Sequence, residues 1–288
     1  MRTTPRDILC VVVTYNSDAH IVQCLRNVVP QVSRVLVWDN GSVDTTVAIV
    51  QQEFPSVEVF ASPMNLGYGA AINSAVQKSG HRGDILVLNP DCTLPRGTVD
   101  SMSTTMKSLP DVGIVAPAMT LASGAQGIPG GPFPTLLKEG LAATKLDERF
   151  DGPRFKKLLA LLDALPIKPR FIQQMAASNI RRCVSVDWVS GFCMLINVHA
   201  WNAVGGFDPD IFLYFEDVAF CRSARLAGWL SCCDGRVSAE HDESSATNVI
   251  GKSAVYYDGM WTYFRKYGNR TQRIAARLAR WSVKGTRK

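Results

Sequence analysis

The sequence contains no uninterrupted apolar stretch approaching the ~20 residues that a helix needs to cross a bilayer. It enters a strand-like run by Ile8 without a basic leader and cleavage site. Both absences predict a protein that is neither exported nor membrane-spanning, and therefore cytoplasmic. The eight cysteines (Cys10, Cys24, Cys92, Cys183, Cys193, Cys221, Cys232, Cys233) form no C-x-x-C pair. Most sit in apolar runs, where a thiol packs as a small hydrophobe, which predicts a reducing compartment and no zinc site. Internal repeats and low-complexity tracts are absent. So is acidic charge at the C-terminal end: after Asp258 come nine basic residues (Arg265, Lys266, Arg270, Arg273, Arg277, Arg280, Lys284, Arg287, Lys288) and no Asp or Glu. Such a tail suits anionic lipid head groups or nucleic acid. Nucleic acid is set aside, because neither aromatic platforms nor a recognisable reader module accompany the charge.

What is present is an ordinary folded composition, 288 residues with 47% apolar and 19% charged, long enough for one large α/β core with an appended region. Through the first hundred or so residues, short β-branched apolar runs alternate with amphipathic stretches, the pattern of βαβ units feeding a parallel sheet. Strands are predicted at 9–14, 34–39, 57–62 and 84–88. Asn16 or Ser17 is placed to cap a helix carrying Ile21, Cys24, Leu25 and Val28, and Ser42 a helix carrying Val43, Val47 and Val50. Ligands of such sheets bind in the crevice outside the carboxyl ends of the strands. There the chain is polar: Thr14, Tyr15 and Asn16; Asp39, Asn40, Gly41 and Ser42; Asn89, Pro90 and Asp91.

From about 121 to 182 the pattern changes to a Gly/Pro-rich section, 124–134, then a basic, Leu-rich section of helical character. The first is expected to act as a lid that orders over a bound ligand and excludes water. A hairpin-like or edge segment follows at 184–196, a short helix near Ala200, and an acidic, aromatic-rich segment from Phe207 to Cys221 containing Glu216 and Asp217.

The ordered set of motifs, from Val12 to Asn16, Asp39 to Asp44, Asn65 to Gly69 and Asn89 to Asp91, resembles glycosyltransferase family 2, inverting enzymes of the GT-A fold, and within it the bacterial rhamnosyltransferase-like branch. The resemblance extends to about Ser245, with a gap over the variable middle. It implies a Rossmann-like, mostly parallel nucleotide-binding sheet flanked by helices. A metal-dependent transferase built on it needs a nucleotide-sugar donor, here dTDP-rhamnose by preference over a UDP- or GDP-sugar, and a glycan or lipid-linked glycan acceptor. A non-catalytic nucleotide-sugar-binding protein of the same fold is the remaining alternative.

The residues suit those roles chemically. Thr14, Tyr15, Asn16, Asp39, Gly41 and Ser42 are candidates for holding the nucleotide, with Asp39 accepting from a pyrimidine N–H and Tyr15 offering a flat face. Asn65, Gly67, Tyr68, Gly69 and Asn73 open a helix whose N-terminus favours anions. Asp91 stands at the last carboxylate of the family's D-x-D motif, whose first position is Asn89 here. With His241 it is the candidate ligand set for Mg²⁺ or Mn²⁺, which neutralises a departing diphosphate. Asp217 matches the family's general base, while Trp188, Gly191 and Glu216 are candidates for the sugar and acceptor wall. The expected organisation is a transferase domain over 1–250, divided into a donor half (1–118), a variable insertion (119–183) and a catalytic half (184–250). A basic tail of amphipathic helices over 251–288 is expected on the inner face of the cell membrane.

Overall fold

A strand buried on both faces reads as a continuous β-branched run rather than an alternating one, and β1 (Ile8–Thr14), sequence ILCVVVT, is buried along its whole length. It is the centre from which the described residues of the computed structural model, 7–135, 182–242 and 254–285, are organised. β2 (Arg34–Asp39) and β3 (Glu58–Ala61) extend parallel from one side of β1, and β4 (Asp84–Leu88) lies parallel on the other. The crossovers are α1 (Asp18–Val28), α2 (Thr46–Glu53) and α3 (Tyr68–Ser79). After the short β5 (Cys92–Thr93), α4 (Thr98–Ser108) leads into β6 (Val112–Leu121).

The second half completes the sheet. β7 (Gly130–Gly131) pairs with β9 (Trp188–Val189), while β8 (Cys183–Val186), β10 (Cys193–Ile196) and β11 (Leu230–His241) join the main layer. Its order is β3-β2-β1-β4-β10-β6-β11-β5, with β8 alongside β11. β10, expected at a hairpin or edge, is inserted antiparallel between β4 and β6. All four of its residues, CMLI, are buried, as a central strand requires.

Alternation along β1 divides the core. Ile8, Cys10 and Val12 pack with Ile21, Cys24, Leu25 and Val28 of α1 and with Val99 and Met102 of α4. Leu9, Val11 and Val13 pack with Ala71, Ile72 and Ala75 of α3, and with Trp201 of α5 (Val198–Val204) and Phe220 of α6 (Glu216–Leu226). Phe207 stacks on Phe220 at 4.7 Å between ring centroids and is 2% exposed. A third cluster joins Ile211, Phe215, Val218 and Ala219 to Met260, Tyr263 and Phe264 of α7 (Ala254–Tyr267) and Ala276 of α8 (Arg270–Gly285).

Three local expectations change. α2 begins at Thr46, not near Ser42, because Asp44 accepts from the Thr46 amide at 3.0 Å and Ser42 turns back to Asp39. Ser17 precedes α1 but its hydroxyl accepts from the Tyr15 amide at 3.3 Å rather than capping the helix. Cys183 and Cys232, expected as free thiols, are joined as a disulfide between β8 and β11; the other six cysteines are free and buried. In the Gly/Pro-rich section expected to form a lid, Gly130 and Gly131 pair with Val189 and Trp188. The Leu-rich remainder of the insertion lies largely outside the described residues.

β11 shifts register between Asp234 and Ser238, and the irregularity is braced from within. The Asp234 side chain is fully buried. It accepts from Arg236 Nε and Nη2 at 2.8 Å each and from Thr105 Oγ1 at 2.6 Å, tying β11 to α4. Burial pushes this carboxyl up, but the bonds from Arg236 and Thr105 outweigh it and hold it below the usual aspartate value. Asp234→Asn is therefore expected to cost about 1–3 kcal/mol at neutral pH in urea titrations. A depressed carboxylate stabilises above its unfolded pKa, so the difference should shrink as pH falls below about 3.9. A cost independent of pH would contradict this assignment.

Candidate active site

β1, β2 and β4 run parallel, so their carboxyl ends open on one edge, where Thr14 lies in register with Asp39. The Asp39 carboxylate, 1% exposed, accepts from Thr14 Oγ1 at 2.8 Å, from the Gly41 and Ser42 amides at 3.1 and 2.9 Å, and from the Ser42 hydroxyl. A carboxylate has about four acceptor positions, and in this state Asp39 fills them within its own loop. Asn16, at a left-handed φ of 52°, locks that loop to β1: its amide donates to Ser42 Oγ at 2.8 Å and its Oδ1 accepts from Val43 N at 2.9 Å. Tyr15 is 55% exposed beside them.

Across the edge, Asn65 Oδ1 accepts from the Gly67 amide at 2.9 Å just before α3. Gly67 has φ 85°, and a Cβ there would meet Phe212 O at 2.4 Å, so no other residue fits. Two neighbouring candidates are committed elsewhere. Asn73 Nδ2 donates to Phe207 O and its Oδ1 accepts from Phe207 N, both at 2.8 Å, which makes it a brace between α3 and the acidic segment. Gly69 lets Phe207 approach: a Cβ would lie 2.8 Å from Phe207 Cβ. Both residues thus contact Phe207.

Asp91 and His241 are distant in sequence but adjacent in space, because the last residue of β11 pairs with Cys92 of β5. Asp91 Oδ1 lies 3.2 Å from His241 Nε2, and the side chains are 12% and 13% exposed. Yet Asp91 Oδ1 and His241 Nδ1 are buried without a hydrogen-bond partner. An orphaned carboxylate oxygen beside an imidazole nitrogen is a donor set that fits a divalent cation. Cys92 lies in the same group, its Sγ within 4.8 Å of the other ligand atoms. Its thiol instead donates to Phe192 O at 3.4 Å, and burial, followed by the Asp91 charge, keeps it protonated.

Tyr68 connects this corner to the acidic segment. Its hydroxyl lies 2.6 Å from Asn89 Oδ1 and 2.9 Å from Gly191 O. One hydroxyl proton serves one of these acceptors. Turning the Asn89 amide over lets its NH₂ donate to Tyr68, frees the Tyr68 proton for Gly191, and points the amide oxygen toward His241 Nε2, 3.3 Å from the nitrogen position. Burial, then the charges of Glu216, Cys92, Asp91 and Asp217, raises the Tyr68 pKa and keeps that proton in place. Gly191 N in turn donates to Asp217 Oδ2 at 2.9 Å, and Val218 N to Oδ1 at 2.7 Å.

Asp217 is the second residue of α6, where the helix start favours a carboxylate. Burial nevertheless raises its pKa, offset in part by the Gly191 and Val218 amides. Glu216, 6% exposed with Oε2 unpartnered, is raised further, first by burial and then by the Asp217 charge. Trp188 is partly buried and donates from Nε1 to Pro132 O at 2.9 Å. The backbone of Tyr214 and Phe215, both left-handed at φ 64° and 69°, immediately precedes the acidic pair. No sequence signal marks this, since aromatic residues rarely adopt that conformation.

A large α/β sheet with a nucleotide-type edge, an Asp–His corner and a buried carboxylate pair defines a GT-A type transferase. A family model described as glycosyltransferase like family 2 matches residues 5–281, and the chain belongs to that family. It is 29% identical over 255 residues, 84% of the chain and 78% of the relative, to N-acetylglucosaminyl-diphospho-decaprenol L-rhamnosyltransferase of Mycobacterium tuberculosis. To the low-salt glycan biosynthesis hexosyltransferase Agl10 of Haloferax volcanii it is 25% identical, over 76% of the chain and 62% of the relative. Among solved structures, it superposes on S. aureus TarS 1-349 with TM-score 0.57 at 15% identity, covering 90% of this chain and 64% of that one. The mannosyltransferase PcManGT of Pyrobaculum calidifontis, solved with GDP-Man and Mn²⁺, gives TM-score 0.59 at 15% identity, covering 92% and 65%. The chain thus spans slightly less than two thirds of the length of these two structures.

A carboxyl that binds its proton more tightly in the folded state destabilises the fold as pH rises above its unfolded value, about 4.3 for Glu, toward the folded one. Glu216→Gln removes that penalty. Its melting temperature relative to the parent is expected to rise between pH 4 and pH 8; a constant or falling difference would mean Glu216 is not held protonated.

Proposed function

We propose that the protein is an inverting, metal-dependent glycosyltransferase that moves L-rhamnose from dTDP-rhamnose onto a hydroxyl of a lipid-linked glycan. The observation that carries the class is the hydrogen-bonded path from the Asp91–His241 corner through Asn89, Tyr68 and Gly191 to Asp217. It joins a cation-type donor set to a buried base. The sugar and the lipid-linked acceptor are supported by the mycobacterial relative, an L-rhamnosyltransferase acting on N-acetylglucosaminyl-diphospho-decaprenol.

In this reading the loops after β1 and β2 hold the nucleotide. Tyr15 stacks on the base, and Asp39 exchanges its bond from Ser42 for a base N–H. The diphosphate approaches the α3 N-terminus at Gly67 and Tyr68. Asp91 and His241 would hold Mg²⁺ or Mn²⁺, which supplies charge neutralisation for the departing diphosphate. Asp217 takes the proton of the acceptor hydroxyl, its raised pKa suiting a base that works near neutral pH. Trp188 and Gly191 wall the sugar, and Glu216 contacts the acceptor. A single displacement inverts the anomeric carbon.

A peripheral membrane site suits a lipid-linked acceptor. No helix among the described residues is long and apolar enough to cross a bilayer. Along α8, however, Ile274, Leu278 and Trp281 are 55%, 60% and 76% exposed. At 3.6 residues per turn they fall within about 60° of one another. Exposed Arg270, Arg273 and Arg277 flank them on one side, an arrangement that suits an anionic interface. Leu278→Glu with Trp281→Glu is expected to abolish co-sedimentation with phosphatidylglycerol vesicles; binding that survives would remove the membrane from this account.

Thermal unfolding with dTDP-, UDP- and GDP-sugars, each with Mg²⁺, Mn²⁺ or chelator, tests the donor. Ligand at a hundredfold its dissociation constant adds ~2.7 kcal/mol, a rise of a few degrees. A metal-dependent rise with dTDP-rhamnose alone is expected. A rise with another nucleotide sugar would replace the donor, and no response to any would favour a non-catalytic protein.

A further inference from the structure

We infer that α7 is a positioning element of the catalytic centre, a clamp that holds Tyr214 and Phe215 left-handed and so sets the aim of Asp217. The inference rests on the reading of Asp217 as the base. A left-handed backbone is strained for any residue other than glycine, and here two aromatic ones stand in succession. Neither the residue before them nor the one after is a glycine. Their conformation is therefore imposed by surrounding structure.

Two glycines from remote elements grip the segment. On one side Tyr68 N donates to Phe212 O at 2.9 Å, with Gly67 so close that a Cβ would lie 2.4 Å from that oxygen. On the other, a Cβ on Gly259 of α7 would lie 2.4 Å from Tyr214 O and 2.9 Å from Leu213 O. The rings complete the hold. Phe215, 7% exposed, meets Tyr256 edge-on at 5.2 Å and Tyr263 at 5.7 Å, and Tyr214 meets Tyr256 at 5.6 Å.

α7 is itself anchored on both flanks of the acidic pair. Lys266 bonds Asp208 at 2.6 Å and Asp210 at 2.9 Å, and the Tyr267 and Ser223 hydroxyls lie 2.7 Å apart. Phe215 O accepts the Ala219 amide at 2.8 Å, so the clamped residue fixes the first turn of α6, where Asp217 sits. The C-terminal helices thus supply part of the active site rather than a detachable tether.

The test combines hydrogen–deuterium exchange with turnover for Gly259→Ala and Tyr256→Ala in the full-length chain, with melting curves to establish that each variant folds. The second variant removes ring contacts without adding a clash. The substrates are dTDP-rhamnose and a short-chain prenyl diphospho-N-acetylglucosamine. Exchange over 212–219 is expected to rise about tenfold or more while peptides of α1 and β1 stay unchanged. kcat should fall on the order of a hundredfold, with the donor KM unaltered. Unchanged exchange over 212–219 in both variants overturns the clamp. Raised exchange with unchanged kcat leaves the turn held by α7 but takes Asp217 out of the chemistry.

Discussion

Gly191 is held from both sides, by the Tyr68 hydroxyl near its carbonyl at 2.9 Å and by the Asp217 carboxylate at its amide at 2.9 Å. The site on either side depends on that double hold. Tyr68 starts α3 and is tied through Asn89 to the Asp91–His241 corner, while Asp217 lies in the first turn of α6. Two helix N-termini from different halves of the chain are thereby fixed relative to one another through a residue whose backbone alone makes the connection. A side chain at Gly191 would lie 3.4 Å from the Tyr68 ring and 3.5 Å from Asp217 Cβ, filling the space between them.

The acidic pair lies buried beside that hold. Desolvation raises both carboxyls, the Asp217 charge raises Glu216 further, and the two titrate as a coupled pair. The two bonds to Asp217 favour its charged form, whereas Glu216 Oε2 has no partner. Of the two, Asp217 has the contacts that favour charge and Glu216 the surroundings that favour the neutral form.

The polar edge of the sheet is legible in the sequence because parallel strands end in polar residues on one side. Thr14, Asp39 and Asn89 lie where βαβ reasoning puts them. His241 was reached through family resemblance; its physical basis is the pairing of β11 with β5, a contact across about 150 residues that no local pattern encodes. Asn73 and Gly69, which the motif groups with the donor loop, also brace the acidic segment, a contact that no local pattern encodes. Phe207 uses both. The left-handed Tyr214–Phe215 pair and its dependence on Gly259 were illegible, since aromatic residues carry no signal for positive φ and the forcing contact comes from a helix more than forty residues away. The basic tail announced charge; that α7 packs in a shared core with α6 followed only from tertiary structure.

The central claim is that Asp217 removes the proton from the acceptor. Single-turnover transfer by Asp217→Asn, with metal and donor saturating, tests it most directly, because asparagine keeps the shape and the bond from Gly191 but cannot take a proton. The account predicts a rate lower by about 10²–10⁴-fold with donor affinity unchanged. A variant within a few-fold of the parent rate would show that the base lies elsewhere and that the buried pair is structural.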